Sequence, residues 1–241
     1  MSAKMIVELG VLKKLFSGLR VLNNEARIRF AEKGFEAYTV EPYNVSFAKA
    51  RIPENTCEAY VADEDEVGLN IDRVLKILRF GRATDTAELS LNDKATLKFG
   101  SAEYTMTTFD PDIVKLLDIS NLELPAEIKL SAEEFKRAIQ AINRISDFAT
   151  FLADGEKFII EAKGDVERIK VDFSNYIIEY NKEKATANFS TEYLKAFTSI
   201  LGKDDSVKIR MGNDLPVELN FNIEDSLFIT YVLAPRVIIE E

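Results

Sequence analysis

The sequence contains no histidine, no tryptophan and a single cysteine, Cys57, in 241 residues. Without histidine there is no Ser-His-Asp or Cys-His nucleophile, no imidazole metal ligand and no imidazole switch near neutral pH. One cysteine closes no disulfide and builds no thiolate zinc site, which fits a reducing compartment. Cys57 reads as a small buried hydrophobe rather than a reactive thiol. Long apolar runs are missing too. Nothing approaches the ~20 apolar residues of a membrane span, and the opening Met1-Ser2-Ala3-Lys4-Met5-Ile6-Val7-Glu8 places an acid where a secretory leader needs an apolar run. The expectation is a cytoplasmic protein with no membrane partner.

Also absent are a Gly-rich phosphate loop, a nucleophile elbow and any metal-ligand spacing, so neither cofactor nor metal is expected. Paired carboxylates remain as an enzymatic alternative, because the chain holds 41 acids. The densest cluster, Asp63-Glu64-Asp65-Glu66, would have to supply acid–base or Mg²⁺ chemistry; a charge run of this kind reads instead as a solvated loop. The chain is therefore expected not to be an enzyme. Against those acids stand 31 basic residues, for a net charge of −10, which at first argues against nucleic acid as a partner.

What is present is a repeat. Leu12, Leu15, Phe16, Leu19 and Leu22 form the apolar stripe of an amphipathic helix over residues 10–22, and Phe135, Ala138, Ile139, Ile142 and Ile145 form another over 131–145, each shifted by 123 positions. The same shift puts Lys13 on Lys136, Lys14 on Arg137 and Phe35 on Phe158. A second helical pattern recurs at a shift of 119, with Val74, Leu75 and Leu78 falling on Tyr193, Leu194 and Phe197, and Lys76 on Lys195. Short alternating segments follow the helices, such as Val207, Ile209 and Met211, then a Gly212-Asn213-Asp214 turn, then Val217, Leu219, Phe221 and Ile223. Period-two alternation between Gly, Asn and Asp turns specifies antiparallel strands with one buried face. The unit is strand, helix and three-strand meander, used four times, which makes an α+β protein of two related halves. The expected organisation is a domain over 1–109, a connecting linker over 110–125 that docks Ile113, Leu117 and Leu122, and a second domain over 126–241.

Local sequences along the whole chain carry a resemblance. They are Val11-Leu12-Lys13-Lys14, Glu25-Ala26 followed by Glu32-Lys33-Gly34-Phe35, Glu161-Ala162-Lys163-Gly164-Asp165, Asp214-Leu215-Pro216-Val217 and Leu233-Ala234-Pro235-Arg236. In this order and spacing the chain resembles the DNA polymerase sliding clamps of the proliferating cell nuclear antigen family, archaeal type. The resemblance implies the processivity-clamp fold, a pseudo-sixfold ring of three chains, and helices lining a hole that encloses duplex DNA. It makes a charge prediction, which the residues meet: +3 over 10–22, +3 over 71–82, +1 over 131–145 and +1 over 190–203, a total of +8 that leaves −18 for the rest. The DNA-facing residues implied are Lys13, Lys14, Arg20, Arg73, Lys76, Arg79, Arg82, Lys136, Arg137, Lys195 and Lys203. Such a face binds phosphates without reading sequence, so it suits sliding.

The resemblance further implies a subunit joint between edge strands, with Tyr104, Met106 and Thr108 on one side and Ile169, Val171 and Phe173 on the other; sheet core is the alternative for these residues. It implies a groove for a short clamp-interaction motif, formed by Val40, Asn44, Phe47, Leu122, Leu124, Pro125, Pro216, Leu233, Ala234, Pro235 and Arg236. The partners it implies are double-stranded DNA, further copies of the chain, DNA polymerase, a clamp-loader ATPase, flap nuclease and DNA ligase. One subunit of a heterotrimer, or a scaffold of the same fold that does not encircle DNA, stands as the alternative. The chain departs from the family pattern in Val237-Ile238-Ile239, which follow Arg236 where acids are usual.

Overall fold

The computed structural model of the chain describes residues 3–92, 94–117 and 122–236. Each period of the repeat is a strand, a helix and a three-strand meander. The first comprises β1 (Ala3–Glu8), α1 (Leu9–Arg20), β2 (Glu25–Ala31), β3 (Gly34–Val40) and β4 (Ser46–Pro53). After a short β5 (Ala59–Val61) the second runs through β6 (Asp63–Asn70), α2 (Ile71–Leu78), β7 (Thr86–Leu91), β8 (Ala95–Phe99) and β9 (Ala102–Met106). The third is β10 (Ala126–Ser131), α3 (Ala132–Ile142), β11 (Phe148–Asp154), β12 (Phe158–Lys163) and β13 (Arg168–Asp172). A short β14 (Ile177–Tyr180) leads to the fourth, with β15 (Lys184–Ser190), α4 (Thr191–Thr198), β16 (Ser206–Met211), β17 (Val217–Ile223) and β18 (Leu227–Leu233). Two compact units result, Met1–Leu117 with Asp225–Ile229, and Asp118–Glu224 with Thr230–Glu241.

The apolar stripes do what their spacing requires. Leu12, Leu15, Phe16 and Leu19 are buried on α1, as are Phe135, Ala138, Ile139 and Ile142 on α3. On β2, Ala26, Ile28 and Phe30 point into the core while Arg27 and Arg29 alternate outward. Full burial of each Leu, Ile or Phe side chain contributes roughly 1.5–3 kcal/mol relative to leaving it in water. In the second unit the core centres on Phe151, whose ring makes edge contacts with Phe135, Phe158 and Phe189 at 6.3, 5.7 and 5.2 Å.

Strand pairing is where patterning runs out. In the first unit β1 pairs with β7, and β6 pairs with β2, so each repeat lends its leading strand to the meander of the other. The second unit does the same through β10 with β16 and β15 with β11. The two repeats of a unit are therefore interlocked by antiparallel ladders, all of whose registers fall between segments distant in sequence.

Several expectations need correction. The helices are shorter than the spans expected for them: α2 stops ahead of a Phe80-Gly81 turn and α4 ahead of Gly202, whose N–H donates to the Asp205 carboxylate at 2.6 Å. The net charges of the four helices are accordingly +3, +1, 0 and 0, a total of +4 that leaves −14 elsewhere. Arg79, Arg82, Arg144 and Lys203 sit at or beyond the helix ends rather than within them. The acidic run from Asp63 opens strand β6 and is not a loop; Glu66 is ion-paired with Arg27 and lies 3.6 Å from Arg29. Charge on an outer strand discourages further strand addition, which is a structural use for Glu66. Cys57 is half-buried, its thiol pushed up to about 11 by burial and by Glu54, so it is neutral and a poor nucleophile at pH 7.

The linker also docks through other residues than expected. Ile113 and Leu117 are exposed and Leu122 is half-buried, whereas Val114 and Leu124 are buried. A 3₁₀ turn over Pro111–Ile113, capped by Asp110 Oδ1 on the Asp112 N–H at 2.9 Å, rotates the chain so that Val114 turns inward. Its entry is pinned by reciprocal backbone bonds between Phe109 and Gly68 at 2.8 and 3.0 Å and by Arg27 on Asp112 at 3.0 Å. The Phe109 ring occupies the place of a Gly68 side chain: a Cβ there would lie 2.1 Å from it. The expectation of a Val237-Ile238-Ile239 tail that extends a strand, covers a groove or meets a partner lies outside the described residues.

Candidate functional site

In each unit the two helices run antiparallel, and their basic residues hold the pair together before they do anything else. Arg20, at the C-terminal end of α1, bonds Asp72 at the start of α2 with Nε–Oδ1 of 2.5 Å, and Lys13 Nζ donates to the Gly81 carbonyl just past the end of α2 at 2.7 Å. In the second unit Lys136 Nζ donates to the Leu201 and Ser199 carbonyls at 2.7 and 3.2 Å, while Asn143 Nδ2 donates to Thr191 Oγ1 at 3.1 Å across the other end. Lys13 and Lys136 are thus equivalent residues in equivalent positions. Each sets a positive charge on carbonyls just past the negative end of the neighbouring helix. That common role is the physical reason for the shared lysine at a shift of 123.

The freer charge lies on α2 and just beyond it. Arg73, Lys76, Arg79 and Arg82 are exposed, and among the described residues none of their side chains has an ion-pair partner. Arg73 and Lys76 share one face of the helix and Arg79 forms its C-cap. Lys195 and Lys203 are exposed in the second unit, Lys203 in the loop after α4. Arg137 is exposed but paired with Glu134 at 2.8 Å, and Lys14 is half-buried.

Both strands expected at a subunit joint are edges. β9 ends the sheet ordered β5-β1-β7-β8-β9, and β13 ends the sheet ordered β13-β12-β11-β15. Tyr104, Thr108, Ile169 and Val171 are half-buried along them, with Thr108 just past β9. Met106 and Phe173 face inward instead, and Phe173 packs its ring 5.6 Å from Phe158. The Phe173 N–H donates to the Phe158 carbonyl at 3.0 Å. By strand alternation Val171 and Ile169 also direct their backbone groups to β12, which leaves the N–H and C=O of Lys170 and Asp172 pointing out of the sheet.

Beside that free edge, Asp172 Oδ1 accepts from Ser174 Oγ at 2.5 Å and from the Ser174 N–H at 2.9 Å, and Oδ2 from Lys157 Nζ at 3.2 Å. These bonds, the serine hydroxyl foremost, hold the carboxyl at about 2. Because the folded value is depressed, the stabilisation is present above the ordinary value near 3.8 and is lost as pH falls through about 2. Ser174→Ala is expected to raise the Asp172 value toward the ordinary one, read by carboxyl NMR titration. The aspartate side chain is 39% exposed, so screening keeps the accompanying change in acid stability below about 1 kcal/mol.

The residues expected in a partner groove fall into separate settings. Val40 and Phe47 are buried and face each other in the β3–β4 register, with Phe47 stacked on Tyr38 at 6.4 Å. Asn44 is exposed in the connecting turn with φ of 59°, and the buried Glu41 carboxylate accepts the Tyr43 N–H there at 2.8 Å. In the second unit Leu122, Leu124 and Pro125 come together with Arg210, Gly212, Asn213 and Leu215 around a cleft of about 570 Å³. Leu215, 38% exposed at a hairpin tip, lines this cleft, whereas sequence reasoning selected its neighbour Pro216. The signal available was an unshielded leucine in a turn. Leu233 is buried, Ala234 exposed and Pro235 half-buried. Arg236 belongs to another cleft of about 380 Å³, where its N–H donates to the Asn188 carbonyl at 2.7 Å and its guanidinium lies 5.6 Å from the Phe148 ring centre.

Comparison with known proteins covers nearly the whole chain. Residues 1–120 match the family model described as proliferating cell nuclear antigen, N-terminal domain, and residues 118–236 that of the C-terminal domain. A DNA polymerase sliding clamp of Archaeoglobus fulgidus is 40% identical over 233 residues, covering 94% of this chain and 95% of the relative. One from Methanococcoides burtonii is 30% identical over 240 residues, covering 97% and 98%. Among solved structures, the C-terminal region of FEN-1 bound to A. fulgidus PCNA matches with a TM-score of 0.94 and 38% identity, over 99% of this chain and 100% of that one. PCNA from Thermococcus kodakaraensis, at 22% identity, a TM-score of 0.85 and coverage of 97% and 100%, shares the fold.

Proposed function

The chain belongs to the proliferating cell nuclear antigen family of DNA polymerase sliding clamps, and from that premise we propose that three copies close into a ring around duplex DNA. The observation that carries the reading is the set of cations on and after α2 that have no ion pair among the described residues, in a chain whose net charge is −10. Exposed lysine and arginine heads exchange between phosphates without reading bases, so the duplex passes along this face while topology retains it. An acidic remainder repels the duplex elsewhere, and screening over ~8 Å keeps the two regions electrically distinct. The ring joint pairs β9 of one copy with β13 of the next, both free edges. The domain expected over 1–109, the linker over 110–125 and the domain over 126–241 are proposed as the functional division. No catalytic step is part of this reading, and the cytoplasm is its proposed compartment.

Recruitment is the second half of the proposal. The A. fulgidus clamp is solved with the C-terminal region of FEN-1. We assign the corresponding segment of a flap nuclease, and related motifs of polymerase, ligase and loader, to the cleft of Leu122, Leu124 and Leu215, with Val40, Asn44, Phe47 and Pro216 as the further contacts that family membership implies. Apolar anchors of the partner bury against these side chains. Titrating a flap-nuclease C-terminal peptide into methyl-labelled protein is expected to shift the methyl signals of Leu122, Leu124 and Leu215; unchanged signals at saturating peptide would remove the cleft from the binding site.

A further inference from the structure

Phe80 is 84% exposed, directly after α2. A solitary surface phenyl needs no function of its own. Two observations set this one apart. The first is the turn that carries it. Lys13 Nζ holds the Gly81 carbonyl at 2.7 Å, and the Arg82 N–H donates to Asp85 Oδ2 at 2.7 Å. The N–H groups of Leu9 and Gly10 donate to the Asp85 and Ala83 carbonyls, each at 2.8 Å. Gly81 is packed so closely that a Cβ would lie 2.9 Å from both Leu9 Cδ1 and Phe99 Cδ2. The ring is therefore projected into solvent by a braced loop, and the ordering cost of presenting it is met in folding rather than on binding.

The second observation is its company. Arg79 and Arg82 flank Phe80, and Lys76 lies four residues earlier on the helix, all exposed and without ion-pair partners among the described residues. Cations around an aromatic platform are the elements that bind a single strand, with phosphates on the cations and a base on the ring. The corresponding turn after α4 carries Ser199 and Ile200 there, so the platform belongs to the first unit alone.

We propose that Phe80, with Arg79 and Arg82, forms a stacking site for an unpaired nucleotide in a single-stranded segment next to the encircled duplex. A paired base offers the ring no free face, and opening a step to admit it costs a few kcal/mol that a sliding ring would meet at every advance. An unpaired base has its face available. The proposal rests on the reading of the α2 face as DNA-facing and adds the class of DNA it takes.

The chain has no tryptophan, so Phe80→Trp introduces a single indole at the site, excited selectively at the red edge of its absorption, beyond that of the tyrosines. In the full-length ring, oligo(dT) is expected to quench that emission, and Phe80→Ala to weaken oligo(dT) binding about tenfold in low-salt anisotropy, with Phe80→Tyr restoring it. Absence of quenching, Phe80→Ala affinity within twofold of the parent, or equal quenching by blunt duplex would each overturn the proposal. Loading of the Arg73→Ala/Lys76→Ala ring onto circular duplex separates the two readings. Normal loading of that variant counts against the DNA-facing helix, whereas impaired loading together with an inert Phe80 counts against the stacking site alone.

Discussion

Lys170→Pro is expected to convert the proposed trimer into a folded monomer. On β13 the residues bonded to β12 are Ile169, Val171 and, just past the strand, Phe173, so the Lys170 N–H points away from its own sheet. Proline there removes a donor that serves no bond within the subunit, and an edge strand tolerates it for that reason. Across a ring joint the same donor meets the β9 edge of the next copy. Its loss leaves an acceptor unpaired at about 1–3 kcal/mol, and the ring steric block adds to that at each of three joints. Light scattering reads the result as about 27.2 kDa against roughly three times that mass for the parent. Val171→Pro is the contrasting variant: it breaks a bond to β12 and is expected to lower the melting temperature as well. A Lys170→Pro protein that remains trimeric would remove β13 from the joint.

The repeat, the four helices among the described residues and the meander after each were legible because they depend on local periodicity. Leu12, Leu15, Phe16 and Leu19 share a face at helical spacing whatever they pack against, and they are buried as that spacing demands. Pairing between repeats was not legible. The β1–β7 and β6–β2 ladders join segments whose alternation is compatible with many neighbours. The linker shows the same limit at smaller scale: a single 3₁₀ turn decided that Val114 rather than Ile113 is buried, and nothing in the spacing of Ile113, Leu117 and Leu122 encodes that turn. For the site, residue type was readable and residue duty was not. Met106 and Phe173 have the alternation of edge residues but face the core, and Leu215 reached the cleft ahead of Pro216 because hairpin geometry, not composition, presents it.

The basic residues make the distinction plainest. The family resemblance gave all eleven DNA-facing residues the same meaning, yet the structure divides them. Lys13 and Lys136 neutralise helix ends, and Arg20 and Arg137 are paired with carboxylates. Such contacts leave a partial field at the surface, but a bound ammonium must release its carbonyl before it can follow a phosphate. Arg73, Lys76 and Arg79 have no such contact to give up among the described residues. In the proposed ring they are, per residue, the groups from which DNA draws most.

Replacing those three by glutamate is therefore expected to slow loading on nicked circular DNA by at least tenfold, the second large effect. Each subunit changes by six charges, and at ~8 Å screening length the three sites of a helix face act on overlapping phosphates. If each cation neutralises one phosphate, the slope of log affinity against log salt falls by about 0.9 per residue removed, so the variant binds weakly and with little salt dependence. Lys13→Ala and Lys136→Ala should behave differently: their main loss is the helix-end contact, a stability change of about 1 kcal/mol visible in denaturant, with a smaller effect on loading. The comparison isolates the two duties of one residue type. Equal loading defects in both sets, at equal stability, would mean that the helix-end lysines turn to the DNA when it arrives.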